Sequence, residues 1–508
     1  MKYKPSSTGF SKTYSLFNFS IIKSFSTAQR QARHNCQLRS RISGNQYKLL
    51  LAMVALFLVL TAPEAGAATR ELTLSPSGSD SASGSRSDPL RTLGAAWRKI
   101  PLGNSGSWLL RLKAGSYRSG APVYWESRGG PITIESVDGR DAARLPGMNV
   151  YRVNKLTMRG VRLDDGGDVF HCELCKRVTL DHVTLRGDGA QETIKINQSS
   201  DVTVTDSDIS GAGDNNFDAV AVRRIKLLRN HFHDAEDWCA YAKGGSTEVI
   251  VRGNLFSECG TGGFTAGQGT GMQFMASPFT HYEASSVLIE GNSVRDTEGA
   301  AFGVGGGANV LIRRNIATRI GSRSHVLEVG YGSRSCDGRP GDAGRSRCAS
   351  YIRAGGWGTT VVDDGDNFIR IPNRNVLIYD NVISNPVNQA SQWQVFSVAG
   401  ARPGASGGVP RGRRADDGLR IVGNAIYDGG PEHSLGLGNG DCRSGSSCAP
   451  ERVLANNEIN GRIPTVTQRS DGWLEVSGWA ASLPIHKPPA PTLNGRVRPE
   501  PLLWRIWP

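Results

Sequence analysis

Between Glu192 and Glu328 ionisable side chains recur at matching places. Ahead of successive apolar strands lie ETIKI at Glu192, DAVAV at Asp218, DWCAYAK at Asp237, GMQFM at Gly271, EGAAFGV at Glu298 and HVLEV at His325. If these segments stack as one parallel sheet, residues at equal offsets line up about 4.8 Å apart. That alignment puts Glu192, Asp218, Asp237, Glu298 and His325 near one column and Lys195, Gln273 and Glu328 near the next. Carboxylates at one strand spacing repel unless a positive group lies between them. A hard cation such as Ca²⁺ takes several carboxylate oxygens at once, so Glu192, Asp218, Asp237 and Glu298 are candidate metal ligands. Lys243, which ends its own segment in AKGG, is the first candidate for a proton-abstracting base. Such a base needs a lowered pKa, which burial or a nearby cation supplies. Lys195 is the second candidate, with Asp237 and His325 as further catalytic groups. Gln273, His281, Tyr282, Arg323 and Glu328 are candidate substrate contacts. A plainer reading stands beside this one. Acids and lysines on neighbouring strands form ion pairs of small worth, and a loop aromatic or histidine more often packs than binds.

The elements that position these residues are legible as a repeat. VTLDHVTL from Val178, VTVTDSDI from Val202, IKLLRNHF from Ile225, VIVRGNLF from Val249, VLIEGNSV from Val287, VLIRRNIA from Val310, VLIYDNVI from Val376 and LRIVGNAI from Leu419 share one pattern. An earlier copy, VNKLTMRGVRL, starts at Val153. Alternation of apolar residues predicts strands with one buried face. A short repeat of this kind cannot bury that face alone, so the coils must stack. Asn230, Asn254, Asn292, Asn315, Asn381 and Asn424 recur at the bend after the strand. Asn tolerates left-handed backbone there, and stacking predicts a ladder of their side chains.

This pattern resembles the right-handed parallel β-helix proteins of the pectate-lyase-like class secreted by bacteria, from about Arg70 to Arg462. The resemblance implies an all-β fold: a right-handed parallel β-helix (solenoid) with a short N-terminal capping helix, near Leu93 to Ile100, and inserted loops. It also implies a carbohydrate-active protein. In this class calcium commonly neutralises an acidic sugar while Lys or Arg removes the C5 proton. The favoured activity is therefore a polysaccharide lyase, with a hydrolase or epimerase on the same scaffold as alternatives. A non-catalytic, glycan-binding surface or envelope protein is the reading from another class, because fold does not imply function.

The chain divides into a lead at 1–67, a cap with the first coils at 68–152, the repeats at 153–462, and a cover with a Pro-rich tail at 463–508. Lys48, the apolar run Leu49–Leu60 and the small residues Ala65–Ala67 read as a secretory signal. The run is too short to favour a membrane span, which needs about 20 apolar residues. Removing the lead lowers the formal charge from +13 to +5, leaving fifty basic and forty-five acidic groups. No nucleic-acid-binding module is visible, and the mild positive charge suits an acidic polysaccharide only weakly. A monomer is expected. Eight cysteines remain in close pairs: Cys172 with Cys175, Cys239 with Cys259, Cys336 with Cys348, and Cys442 with Cys448. Even numbers in an exported chain read as disulfides, although CELC could instead be redox-active.

Overall fold

The computed structural model describes residues 68–477, apart from 104–105, 118–124, 127–129, 165–166, 278, 336–342, 355–356, 358–361, 364–365, 401–413, 439–441 and 463. The lead with its secretory segment and most of the Pro-rich tail lie outside the described residues.

Each coil of the chain visits three parallel sheets in turn. The repeat sheet has twelve strands, from Arg70–Leu74 to Arg420–Val422. The turn sheet, which follows the asparagine bend, also has twelve, from Gly115–Ser116 to Glu458–Ile459. The site sheet has ten, from Trp125–Glu126 to Gln394–Val398. This is a parallel β-helix with more than ten coils, as the spacing implied. Register follows the repeat: Val178 pairs with Val202, Val202 with Ile225, Ile225 with Val249, and Val249 with Val287. All of these are buried. Burial of each aliphatic side chain contributes about 1.5–3 kcal/mol, but only because the next coil covers it.

The asparagine ladder is present. Asn254 Nδ2 donates to Asn292 Oδ1 at 3.0 Å, Asn292 Nδ2 to Asn315 Oδ1 at 2.9 Å, and Asn315 Nδ2 to Asn381 Oδ1 at 2.9 Å. It runs on through Asn424 to Asn457. One detail differs from the sequence reading. The left-handed residue at the bend is the one before each Asn: Arg229 (φ 56°), Gly253 (62°), Gly291 (63°), Arg314 (54°), Asp380 (54°) and Gly423 (67°). Turning that residue left-handed aims the Asn side chain inward, where its amide satisfies backbone groups of the preceding coil and donates to the Asn of the next.

The capping helix spans Leu93–Lys99, with Thr92 Oγ1 accepting from Ala95 N at 3.1 Å. Leu93, Ala95, Ala96 and Trp97 are buried, and Trp97 meets Trp125 edge-on at 5.1 Å. Insertions interrupt the coils where the ladder spacing lengthens. Gly269–Gly271, Gly332–Ser335, Val362–Asp363 and Asp366–Ile371 form a separate four-stranded sheet, beside a helix at Ala343–Arg353. A C-terminal hairpin, Thr465–Gln468 with Leu474–Ser477, covers part of the turn sheet, and Leu474 N donates to Ser293 Oγ at 3.1 Å.

Three of the four expected disulfides form: Cys172–Cys175, Cys239–Cys259 and Cys442–Cys448. Cys348 is disulfide-bonded, and its expected partner Cys336 lies outside the described residues.

Candidate functional site

The site sheet keeps one column of apolar residues inward: Phe170, Ile194, Phe217, Ala240, Phe264, Phe302 and Leu327 pair in succession. The next residue of each strand therefore points outward. That outward column reads His171, Lys195, Asp218, Tyr241, Thr265, Gly303 and Glu328. The structure thus places Asp218 beside Lys195 and Tyr241. Asp237 sits just ahead of its strand, and Glu298 just ahead of the next but one.

GMQFM does not supply a strand of this sheet. Its place is taken by Gly262–Ala266, because Phe264 fills the inward column. The glycines here have a purpose. A Cβ on Gly262 or Gly303 would lie 2.6 or 2.8 Å from the Trp238 ring, which is nearly buried against the sheet. Met272–Phe274 is instead a single turn of 3₁₀ helix, with Gln273 exposed on the insertion.

Four charged groups converge on the outer face. Lys195 Nζ lies 2.8 Å from Glu192 Oε1 and 3.7 Å from Asp218 Oδ2. Asp168, two residues before Phe170 as Glu192 is two before Ile194, hydrogen-bonds Glu192. Both Glu192 and Asp218 are buried, and Asp168 Oδ1 and Asp218 Oδ1 accept no hydrogen bond from the described residues. Burial pushes Asp218 up to about 7, with nearby Glu192 adding to the rise against the pull of Lys243 and Lys195. Burial likewise pushes Asp168 up to about 6. Glu192 goes the other way: burial opposes ionisation, but the hydrogen bonds from Lys195 and Asp218 win and hold it low. Lys195 is held above its ordinary value, since its acidic neighbours outweigh its burial. The Tyr241 hydroxyl, bonded to Asp218, is raised by burial and by Asp218 and Glu192. Asp168 and Tyr241 are the two members that sequence reasoning missed.

Lys243 is half-buried. Its Nζ donates to Gln268 Oε1 at 3.0 Å and lies 4.3 Å from the Tyr241 ring centre. Gln268 is a wall of an open cleft of about 430 Å³ over the following coils, lined also by Trp238, Thr265, Gly303, Glu328 and Arg370. Glu328 faces this cleft and accepts from Ser324 Oγ at 2.6 Å. His325 is nearly buried, edge-on to the exposed Trp393 at 5.1 Å.

The other candidates lie elsewhere. Arg323 and Glu298 pair with each other at 2.7 Å, both largely exposed. Asp237 lies near Asp214, whose carboxyl is raised by burial and by Glu192 and Asp237. His281 stacks on Trp357 at 4.6 Å and contacts Tyr351, and Tyr282 is buried in the same loop cluster. Of the four expected metal ligands, only Glu192 and Asp218 come together, and a cation shared by them would have to displace Lys195.

The family model for the right handed beta helix region matches residues 121–279. No curated protein matches the sequence. Among solved structures, the chain is similar to the mannuronan C-5 epimerase AlgE4 A-module of Azotobacter vinelandii, at 14% identity over 66% of this chain and 90% of that one, with a TM-score of 0.44. It is similar to the surface adhesin PfbA of Streptococcus pneumoniae, at 10% identity over 75% and 95%, with a TM-score of 0.40. The pectate lyase Pel9A matches at 14% identity over 52% and 76%, with a TM-score of 0.30. The chain folds as a right-handed parallel β-helix.

Proposed function

We propose that this protein is exported and acts on an acidic polysaccharide laid across the outer face of the site sheet, cleaving it by β-elimination. The observation that carries this reading is the buried Asp218, with an unpartnered oxygen and a pKa near 7, one coil from Lys243, whose partner Gln268 lines an open cleft. Elimination needs a base for the proton at C5 and an acid for the departing O4. Lys243, in its neutral form, takes the C5 proton. The electron pair becomes the C4–C5 double bond as the C4–O4 bond breaks. Asp218, protonated below about pH 7, supplies a proton toward O4 through the Tyr241 hydroxyl. Carboxyl groups kept neutral by an apolar site serve as hydrogen-bond donors in other proton-transfer enzymes.

Lys195 already supplies positive charge between Glu192 and Asp218, the place a cation would occupy. The test is incubation of the purified chain with a panel of acidic polysaccharides, followed by ultraviolet absorbance of unsaturated uronates. Wild type should produce them and Lys243→Ala should not, with the fold intact. Change of uronate stereochemistry without unsaturated product would replace the lyase by an epimerase, which shares the first step. Binding without either product would leave a glycan-binding protein.

A further inference from the structure

On the turn sheet, away from the site sheet, lies a cluster of ionisable side chains. Asp208–Ala212, His231–Ala235 and Leu255–Cys259 are adjacent parallel strands. Phe232 points inward and is fully buried, so His231 and His233 both point outward. Asp208 pairs in register with His231, and Ser257 with His233. Donor atoms of Asp208, His231 and His233 all lie within 4.8 Å of one another.

We propose that Asp208, His231 and His233 bind a divalent transition-metal ion of the zinc type, with one coordination position left to water. Two imidazoles and one carboxylate suit Zn²⁺, and also Co²⁺, Ni²⁺ or Cu²⁺, better than Ca²⁺. Three protein donors with an open fourth place are the pattern of accessible rather than closed zinc sites.

The outer contacts of the cluster point the same way. A metal-binding histidine is usually held through its second nitrogen by a carboxylate, a carbonyl or a water. Here His233 Nδ1 contacts Asp234 Oδ2 at 2.5 Å, while Nε2 faces Asp208 Oδ1 at 3.0 Å. His231 Nε2 contacts Ser257 Oγ at 2.9 Å, leaving Nδ1 for the ion. The Asp208–His233 separation is close to the edge of about 3.3 Å that bonds of 2.0–2.1 Å make in a tetrahedral site. The two rings now stack with centres 4.1 Å apart and must fan toward a common point as the ion enters. Arg186 Nη1 also donates to Asp208 Oδ1 at 2.6 Å, and becomes an outer partner of that ligand. Without metal, the same contacts are those of a protonated His233 bridging Asp208 and Asp234.

The test is titration of the chelator-treated full chain with Zn²⁺ by calorimetry, and with Co²⁺ by visible absorption. One saturable equivalent is expected. His231→Gln and His233→Gln should each abolish it, and Asp234→Asn should weaken it about tenfold or more. Asp218→Asn, on the other face, should leave it unchanged. His182→Gln should also leave it unchanged, which excludes the group of Asp181, Asp206 and the exposed His182. Circular dichroism checks each fold, and His231→Gln, which disturbs no ion pair, remains decisive if another variant misfolds. No saturable binding, or undiminished binding in His231→Gln, overturns the proposal.

Discussion

Arg334 and Glu283 form an ion pair at 2.7 Å in which neither side chain has any solvent exposure. Arg334 also donates to the backbone oxygens of Thr280, His281 and Tyr282. The other Glu283 oxygen accepts from Gly244 N at 3.0 Å and Thr270 Oγ1 at 2.7 Å. The pair therefore ties the inserted segment to the backbone directly after Lys243. Arg334→Met would leave a buried carboxylate unpaired, at a cost of about 3–5 kcal/mol. The double variant Arg334→Met with Glu283→Gln should recover much of that loss, since no buried charge remains. Denaturant unfolding of the single and double variants checks this, and equal stabilities would show that the charge itself is unimportant.

Asp218 makes stability depend on pH with a definite sign. Its carboxyl is pushed up from 3.8 to about 7, so between these values the folded state binds more protons than the unfolded one. The contribution of Asp218 therefore declines as pH rises from about 4 to about 7 and is flat above. Glu192, held low, works the opposite way over the more acidic range. Asp218→Asn should remove the decline, narrowing the difference between melting temperatures at pH 5 and pH 8. An unchanged difference would place the titration on another group. Lyase activity should fall above about pH 7, where Asp218 no longer holds its proton.

The stacked coils were legible because one pattern recurs at one offset. Val178, Val202, Ile225 and Val249 pair in the register in which they align in the sequence. The outer column was harder to read because the segments were aligned on their first acid. In DWCAYAK that acid is Asp237, but Ala240 is the residue that pairs with Phe217, so Tyr241 and not Asp237 stands beside Asp218. With a side-chain period of two, a small slip in phase moves residues to the wrong face or column. Aligning on the inward apolar residue also exposes Asp168, at the same offset from Phe170 as Glu192 from Ile194. The packing of His281 and Tyr282 depends on Tyr351 and Trp357, about 70 residues away, and no local pattern could reveal it.

Lys195 acts as the cation of its cluster. Added Ca²⁺ should therefore leave the wild-type melting temperature, followed by far-ultraviolet circular dichroism, unchanged at neutral pH. Lys195→Met removes the positive charge beside Glu192 and Asp218. That variant should be less stable, and added Ca²⁺ should restore part of the loss through the emptied position, in proportion to its occupancy. Ca²⁺-dependent stability of the wild type, localised by its absence in Glu192→Gln, would mean that a metal displaces Lys195 in the working protein.

The ladder predicts that position along the solenoid sets the cost of losing an asparagine. Asn292 accepts from Asn254 N at 2.8 Å and Nδ2 at 3.0 Å, and donates to Val251 O at 3.0 Å and Asn315 Oδ1 at 2.9 Å. Asn292→Ala strands several buried groups at once, each costing about 1–3 kcal/mol. Asn292→Asp should be at least as harmful, because a carboxylate cannot donate to Asn315 Oδ1. Asn457 ends the ladder and is half-buried, whereas its partner Asn424 is fully buried and keeps its bonds to Ile378 O and Val422 O. Asn457→Ala should cost about 1 kcal/mol. Coils contact only their neighbours, so the damage should be local. Hydrogen exchange should show Asn292→Ala loosening the coils from Asn254 to Asn315 while those near the capping helix stay protected. Equal costs at Asn292 and Asn457 would mean that the stacked apolar columns hold the coils together and the ladder only follows them.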